Sequence, residues 1–186
     1  GYGDAPDAVA ETVRLSGEIG LAGCSIEDTK MESPVTFYDF ALAVERVKAG
    51  VAAARALNKD FVFVARADGL MNGLYDIDEA IRRLQAFDAA GADCLYAPLP
   101  KTLDDLKRVI NCTDKPVNVL AVGQYAKLSR TQYATMGVAR ISLGSGLARV
   151  IHSQIINAGH KMIKDGDFSD ILSAAPGRET EKLLTR

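Results

Sequence analysis

Phe61-Val62-Phe63-Val64-Ala65-Arg66-Ala67-Asp68 is the stretch of this 186-residue chain that decides the fold. Its first five residues are apolar and Arg66 closes the run. A strand with one wet face alternates apolar and polar side chains. An unbroken apolar run fits a strand covered on both faces, as in a parallel sheet. Helical patterns flank it. Phe40 to Leu57 repeats apolar residues at helical spacing. Asp76-Ile77-Asp78-Glu79 opens the next helix as a capping box, with Asp76 as cap and Glu79 reaching back. That helix is expected to run to Ala90 and to stop at Gly91.

Further strands are expected at Cys24–Ile26, Cys94–Tyr96, Val117–Leu120 and Arg140–Leu143. Helices are expected over Ala8–Ser16, Leu103–Asn111, Arg130–Met136 and Leu147–Lys164, with a polar tail from Gly177. Strands separated by helices imply right-handed crossovers and a parallel sheet. An open doubly wound sheet would carry G-x-G-x-x-G after its first strand, and Gly1-Tyr2-Gly3-Asp4 is only G-x-G. A (β/α)8 barrel places its chemistry at the C-terminal ends of several strands. Polar residues close or interrupt the runs at Glu27-Asp28, Arg66, Asn118 and Gly144-Ser145. The expected class is therefore α/β, a TIM-type barrel. A closed barrel needs eight strands and about 250 residues. The five strands read here predict one partial barrel domain over residues 1–186, its C-terminal portion, with 167–186 as a tail.

Composition narrows the function. The chain is 48% hydrophobic and 25% charged, with a net charge of −2. Basic residues are interspersed with acids, so no nucleic-acid footprint is expected. An anionic ligand would need local positive charge. Cys24, Cys94 and Cys112 form no C-x-x-C pair, which argues against a zinc or redox motif. An odd cysteine count without a framework favours a reducing compartment, and the expected location is cytoplasmic. No apolar run approaches the roughly 20 residues of a membrane helix. His152 and His160 fall on the late helix without clustered carboxylates, and no nucleophile–base arrangement is visible.

Glu27 and Asp28 end a strand, and adjacent side chains there point in opposite directions, so one faces the barrel mouth. An inward carboxylate suits Mg²⁺; the competing reading is a solvated loop pair. Arg66 at its strand end can grip a carboxylate or phosphate with two parallel bonds, or pair with Asp68 at the rim. Asn118 interrupts an apolar strand, where an amide needs a partner: substrate, or a polar side chain on a neighbouring strand. Gly144-Ser145-Gly146 before a helix is a weak phosphate signal and a good tight turn.

Six segments in order resemble the isocitrate lyase/phosphoenolpyruvate mutase family. They are Gly1-Tyr2-Gly3-Asp4, Gly23-Cys24-Ser25-Ile26-Glu27-Asp28-Thr29, Val64-Ala65-Arg66-Ala67-Asp68, Ala89 to Pro98, Lys115 to Leu120 and Arg140 to Ser145. The resemblance implies a Mg²⁺-dependent barrel enzyme acting on small 2-oxo acids or phosphonates through an enolate-type pyruvyl species. It implies Glu27 as a metal-shell ligand, Arg66 as the catalytic arginine that binds the substrate carboxylate, and Asn118 as a substrate contact. It also implies acidic metal ligands on a strand before Gly1. The partners it implies are a small 2-oxo acid and further copies of the chain, as a homodimer or homotetramer that exchanges its last barrel helix.

Lyases of the isocitrate type carry Lys-Lys-Cys-Gly-His after the Glu-Asp strand. This chain has Lys30-Met31-Glu32-Ser33-Pro34 there, and Ala97 where those lyases place a glutamate. The resemblance is therefore to the mutase-like branch. The alternative expectation is a non-catalytic barrel fragment that contributes only to assembly.

Overall fold

The computed structural model describes residues 2–30 and 32–185. Gly1 of the Gly-Tyr-Gly segment, Met31 of the loop and Arg186 of the tail lie outside the described residues. The chain divides into two compact units, Gly1–Ser142 and Leu143–Arg186.

The first unit opens with α1 (Pro6–Glu18), which has Pro6 in its first turn, where the missing N–H costs nothing. Val9, Val13 and Gly17 form its buried stripe. β1 (Gly23–Glu27) leads into a short hairpin, β2 (Thr29–Lys30) and β3 (Thr36–Phe37). α2 (Phe40–Ala56) is capped by Asp39, whose side chain accepts from the Leu42 N–H. β4 (Val62–Arg66) follows, then α3 (Ile77–Ala89). Asp76 caps α3 as expected, accepting from the Glu79 N–H at 2.9 Å. The reciprocal half of the expected box is replaced: the Glu79 carboxylate accepts from Arg82 and Arg83 instead. Charged donors outcompete a neutral backbone N–H for that carboxylate. β5 (Cys94–Tyr96), α4 (Leu103–Ile110), β6 (Val117–Leu120), a 3-10 turn at Gly123–Lys127, α5 (Arg130–Thr135) and β7 (Arg140–Ser142) complete the unit.

The five longer strands pair in parallel in the order β1-β4-β5-β6-β7. This is the repeating βα pattern of a TIM-type barrel, and these strands do not close it. Alternation assigns the faces. Ile26, Phe63, Ala65, Leu95, Val117 and Val119 join the main core with the helices. Val64, Cys94 and Tyr96, with Leu120 against them, form a separate small cluster on the other face, the inner face of the barrel wall. The Phe61–Ala65 run is thus covered on both faces at Phe63–Ala65, while Val62, at the start of β4, is 48% exposed. Phe63 has no exposed surface, a burial worth roughly 1.5–3 kcal/mol. It packs so closely on α2 that a Cβ at Gly50 would lie 2.3 Å from its ring.

The second unit holds α6 (Gly146–Asp165), a 3-10 turn at Ser169–Ser173 and α7 (Gly177–Leu184). α6 ends at Gly166 in the left-handed conformation (φ 63°), and none of its residues is buried. Leu147, Val150, Ile151, Ile155 and Ile156 are all exposed on it. Ser145 caps α6 without a side-chain hydrogen bond, so the Gly144-Ser145-Gly146 segment behaves as a turn. No described helix is long and apolar enough to cross a membrane.

Candidate active site

Sheet register places one row of residues across the inner face. Glu27 pairs with Arg66, Arg66 with Tyr96, Tyr96 with Asn118, and Asn118 with Arg140. In parallel strands, residues in register point to the same side, so all five project from the wall opposite the helices. The three predicted site residues therefore share one face. Tyr96 and Arg140, which sequence reasoning did not single out, fill the gaps between and beyond them.

Arg66 is the centre of the row. Its Nε and Nη2 donate to the two carboxylate oxygens of Asp68 at 2.9 and 2.8 Å. Its Nη1 lies 2.8 Å from Glu27 Oε1. The guanidinium carbon sits 4.9 Å from the centre of the Tyr96 ring. A guanidinium has five N–H donors in a fixed fork. Asp68 occupies the Nε/Nη2 side and Glu27 meets Nη1, so two carboxylates converge on one guanidinium. Of the two expectations for Arg66, the rim pairing with Asp68 is present in the structure. Burial pushes the Asp68 carboxyl up to about 6 against the opposing pull of Arg66, with Glu27 adding to the rise.

Asn118 is buried, and its side-chain bonds go to β7. Its Nδ2 donates to Ser142 Oγ at 2.9 Å, and its Oδ1 accepts from Arg140 Nη1 at 2.9 Å. Burial raises the Tyr96 phenol, so it stays protonated at neutral pH and is available as a donor.

Asp28 goes the other way from Glu27. It is 2% exposed, and its Oδ1 accepts from the backbone N–H groups of Asp68 (2.7 Å) and Gly69 (3.4 Å). Its Oδ2 accepts from the Tyr75 hydroxyl at 2.7 Å and from Arg83 Nη1 at 3.1 Å. Burial raises its carboxyl despite these contacts. Of the adjacent pair, Glu27 is the one that faces the inner row.

The donor chemistry of Glu27 suits a hard divalent cation, which takes oxygen ligands and is commonly held by one or two carboxylates plus waters. No group of three His, Cys, Asp or Glu among the described residues is arranged to hold a metal. Glu27 therefore fits as one ligand of a magnesium site, and the described residues do not make up a whole one.

A family model described as phosphoenolpyruvate phosphomutase matches residues 1–163. The chain belongs to the phosphoenolpyruvate mutase family. A crystal structure from Burkholderia cenocepacia J2315, provisionally named a lyase/mutase, superposes on it with a TM-score of 0.93. The two are 39% identical over 100% of this chain and 66% of that one. 2,3-Dimethylmalate lyase, a member of the phosphoenolpyruvate mutase/isocitrate lyase superfamily, superposes with a TM-score of 0.78 at 27% identity, over 90% of this chain and 59% of that one. Oxaloacetate decarboxylase from Paraburkholderia xenovorans LB400 is 28% identical over 195 residues. That alignment takes in 99% of this chain and 60% of the decarboxylase, so the chain spans less than two thirds of that curated relative.

Proposed function

We propose that this chain supplies the Glu27–Arg140 part of the active site of a Mg²⁺-dependent lyase, mutase or hydrolase. The substrate is a small 2-oxo carboxylate or its phosphonate relative, processed through an enolate-type pyruvyl intermediate. The observation that carries this reading is the inner-face row, with the Arg66 guanidinium set between Glu27 and Tyr96. The names of the relatives agree with it: the matched family model is a phosphomutase, and an oxaloacetate decarboxylase aligns along the chain.

In this reading Glu27 turns from Arg66 to the metal, and the Nη1/Nη2 end of Arg66 then holds the substrate carboxylate in a bidentate grip. Asp68 keeps the guanidinium from swinging away. Glu27 would hold the metal, which would supply Lewis-acid stabilisation of the developing oxyanion. The neutral Tyr96 phenol offers a proton to an anionic group beside Arg66. Asn118, tied to Ser142 and Arg140, fixes the polar floor of the row. The three free cysteines, with no pairing framework, support a reducing compartment, and we place the reaction in the cytoplasm.

The test is a panel of oxaloacetate, phosphonopyruvate, phosphoenolpyruvate and methylisocitrate, assayed with the intact protein and Mg²⁺. Pyruvate release is expected from at least one. Arg66→Lys keeps the charge and loses the fork. It should lower kcat/KM roughly 10- to 150-fold, the equivalent of one charge-assisted hydrogen bond. Wild-type kinetics in that variant would remove Arg66 from the site. No turnover across the panel would favour the assembly-only alternative.

A further inference from the structure

Glu27 and Asp28 sit side by side in sequence, yet only Glu27 reaches the inner row; Asp28 is buried in contacts that belong to a different loop. Its Oδ1 holds the backbone N–H of Asp68, 40 residues away. Asp68 in turn meets Arg66 with both carboxylate oxygens. We propose that Asp68, clamped through its backbone by the buried Asp28, is the positioning residue that aims Arg66 at the substrate carboxylate. The inference rests on the proposed role of Arg66 and extends it to how that arginine is held.

An arginine side chain has many rotamers, and an unrestrained one meets its ligand in many orientations. Contacts to Nε and Nη2 together fix both the position and the plane of the guanidinium, because its donors are coplanar. They also dictate which way the Nη1 end points. A carboxylate can do this only if it is itself immobile. The Asp68 side chain is 4% exposed, and its backbone is held by the 2.7 Å bond to Asp28. Asp28 is anchored by Tyr75 and by Arg83, whose Nη2 donates to the Tyr38 carbonyl at 3.1 Å. Tyr38 follows the β2–β3 hairpin, and its N–H donates to the Asp28 carbonyl at 2.9 Å. One buried carboxylate thus joins the loop after β1 to the loop after β4. The Tyr75 hydroxyl closes the joint by accepting from the Gly69 N–H at 3.0 Å.

The experiment is a double-mutant cycle on the intact protein with Mg²⁺, reading the Kd of oxalate, a small planar dicarboxylate, by calorimetry. Four proteins are compared: wild type, Asp68→Asn, Arg66→Lys and the double variant. Asp68→Asn keeps the shape but replaces one acceptor oxygen with a donor that faces Arg66. It should weaken oxalate about tenfold in the wild-type background, the size of one such contact. In the Arg66→Lys background, the same change should weaken oxalate less than about twofold, because residues acting through one another are not additive. A residue that merely stabilised the fold would cost the same factor in both backgrounds, and that result would overturn the proposal. Arg66→Lys binding oxalate as tightly as wild type would instead remove the role of Arg66, and this inference with it. Should Asp68→Asn fail to fold, Tyr75→Phe serves as the second probe. It removes the hydroxyl bonded to Asp28 and Gly69 and leaves every charge in place. Its expected weakening of oxalate must likewise shrink in the Arg66→Lys background; an equal loss in both refutes the proposal.

Discussion

Asp28→Asn tests the buried cluster most directly, and its cost can be worked from the contacts. Both partners of the Asp28–Arg83 pair are 1% exposed at the side chain, so neither can turn to water when the other is lost. Burial alone already disfavours the charged form of Asp28, since desolvation outweighs the help of Tyr75 and Arg83. On that ground, a neutral amide would be cheap. The cost comes from the partner. Arg83 stays charged, and the new amide presents N–H groups to a guanidinium that needs an acceptor. Breaking one side of a buried pair typically costs about 3–5 kcal/mol. Here Arg83 keeps Glu79 Oε1 at 2.8 Å and the Tyr38 carbonyl at 3.1 Å. The oxygen that the new amide retains can still accept from the Asp68 N–H. The lower end of the range applies, so the expected loss is about 3 kcal/mol.

Equilibrium urea unfolding of the intact protein measures this. The companion variant, Asp28→Asn with Arg83→Met, removes the stranded charge as well. Replacing both charges with groups that fill the space is often nearly neutral, so the double variant should recover at least half of the loss. A single-variant loss below about 1 kcal/mol, within the range of an exposed pair, would refute the reasoning. A double variant as unstable as the sum of the singles would refute it too, because the coupling would then be absent.

Asp68 should give stability an acid-side slope. Its folded carboxyl is lifted from the ordinary 3.8 to about 6, so the native state holds a proton that the unfolded chain has released. Its contribution is then fully present below about pH 3.8, is lost as pH rises to about 6, and amounts to about 3 kcal/mol at most. Urea titrations at pH 4, 5 and 6 should show the slope in wild type and not in Asp68→Asn. Gly50→Ala gains about 1 kcal/mol of helix propensity but drives a methyl to 2.3 Å from the Phe63 ring. Overpacking of this kind costs about 1–3 kcal/mol, so thermal unfolding should register a net loss; a stabilised variant would contradict the packing. We also propose that α6 packs on a second copy of the chain. Its apolar side chains stand open, with Leu147 and Ile155 each 65% exposed. Light scattering should find a dimer or tetramer of the intact protein, and Ile155→Asp should dissociate it. A monomer at micromolar concentration would end that proposal.

The β4 run could be read from sequence because an apolar run needs only composition to be recognised. The β2–β3 hairpin could not, since two-residue strands carry no periodicity. The inner row needed more than sequence. Side chains alternate faces along every strand, but which residues stand side by side depends on register, and a one-residue slip sends every side chain to the other face. So Glu27, Arg66 and Asn118 could each be picked out as polar residues in apolar strands, while Tyr96 and Arg140 became part of the site only through pairing. Arg83 was missed although a signal existed. It stands next to Arg82 and looks equally solvated, yet Ala80, Leu84 and Phe87 mark the buried stripe of α3, and Arg83 falls on it. A charge on the apolar phase of a helix calls for a buried partner of opposite sign, and Asp28 is that partner.

The opposite fates of Glu27 and Asp28 follow from the pleat and organise the rest of the site. Ile26 is 2% exposed in the helix-side core, so the next residue must face the inner wall and the one after it must turn back. On the inner wall the Glu27 side chain is 32% exposed and meets Arg66. On the other side, a carboxylate meets packed helices, where it persists only with several donors around it. Asp28 has four such donors, and two are backbone N–H groups from the loop after β4. The same two-residue step therefore yields one acid for chemistry and one for scaffolding. The scaffolding acid controls the backbone from which Asp68 reaches Arg66. Exchanging the two by a one-residue shift in β1 would strand a carboxylate in the core and leave Arg66 without its neighbour. Register in β1 is thus a condition of the active site as much as of the fold.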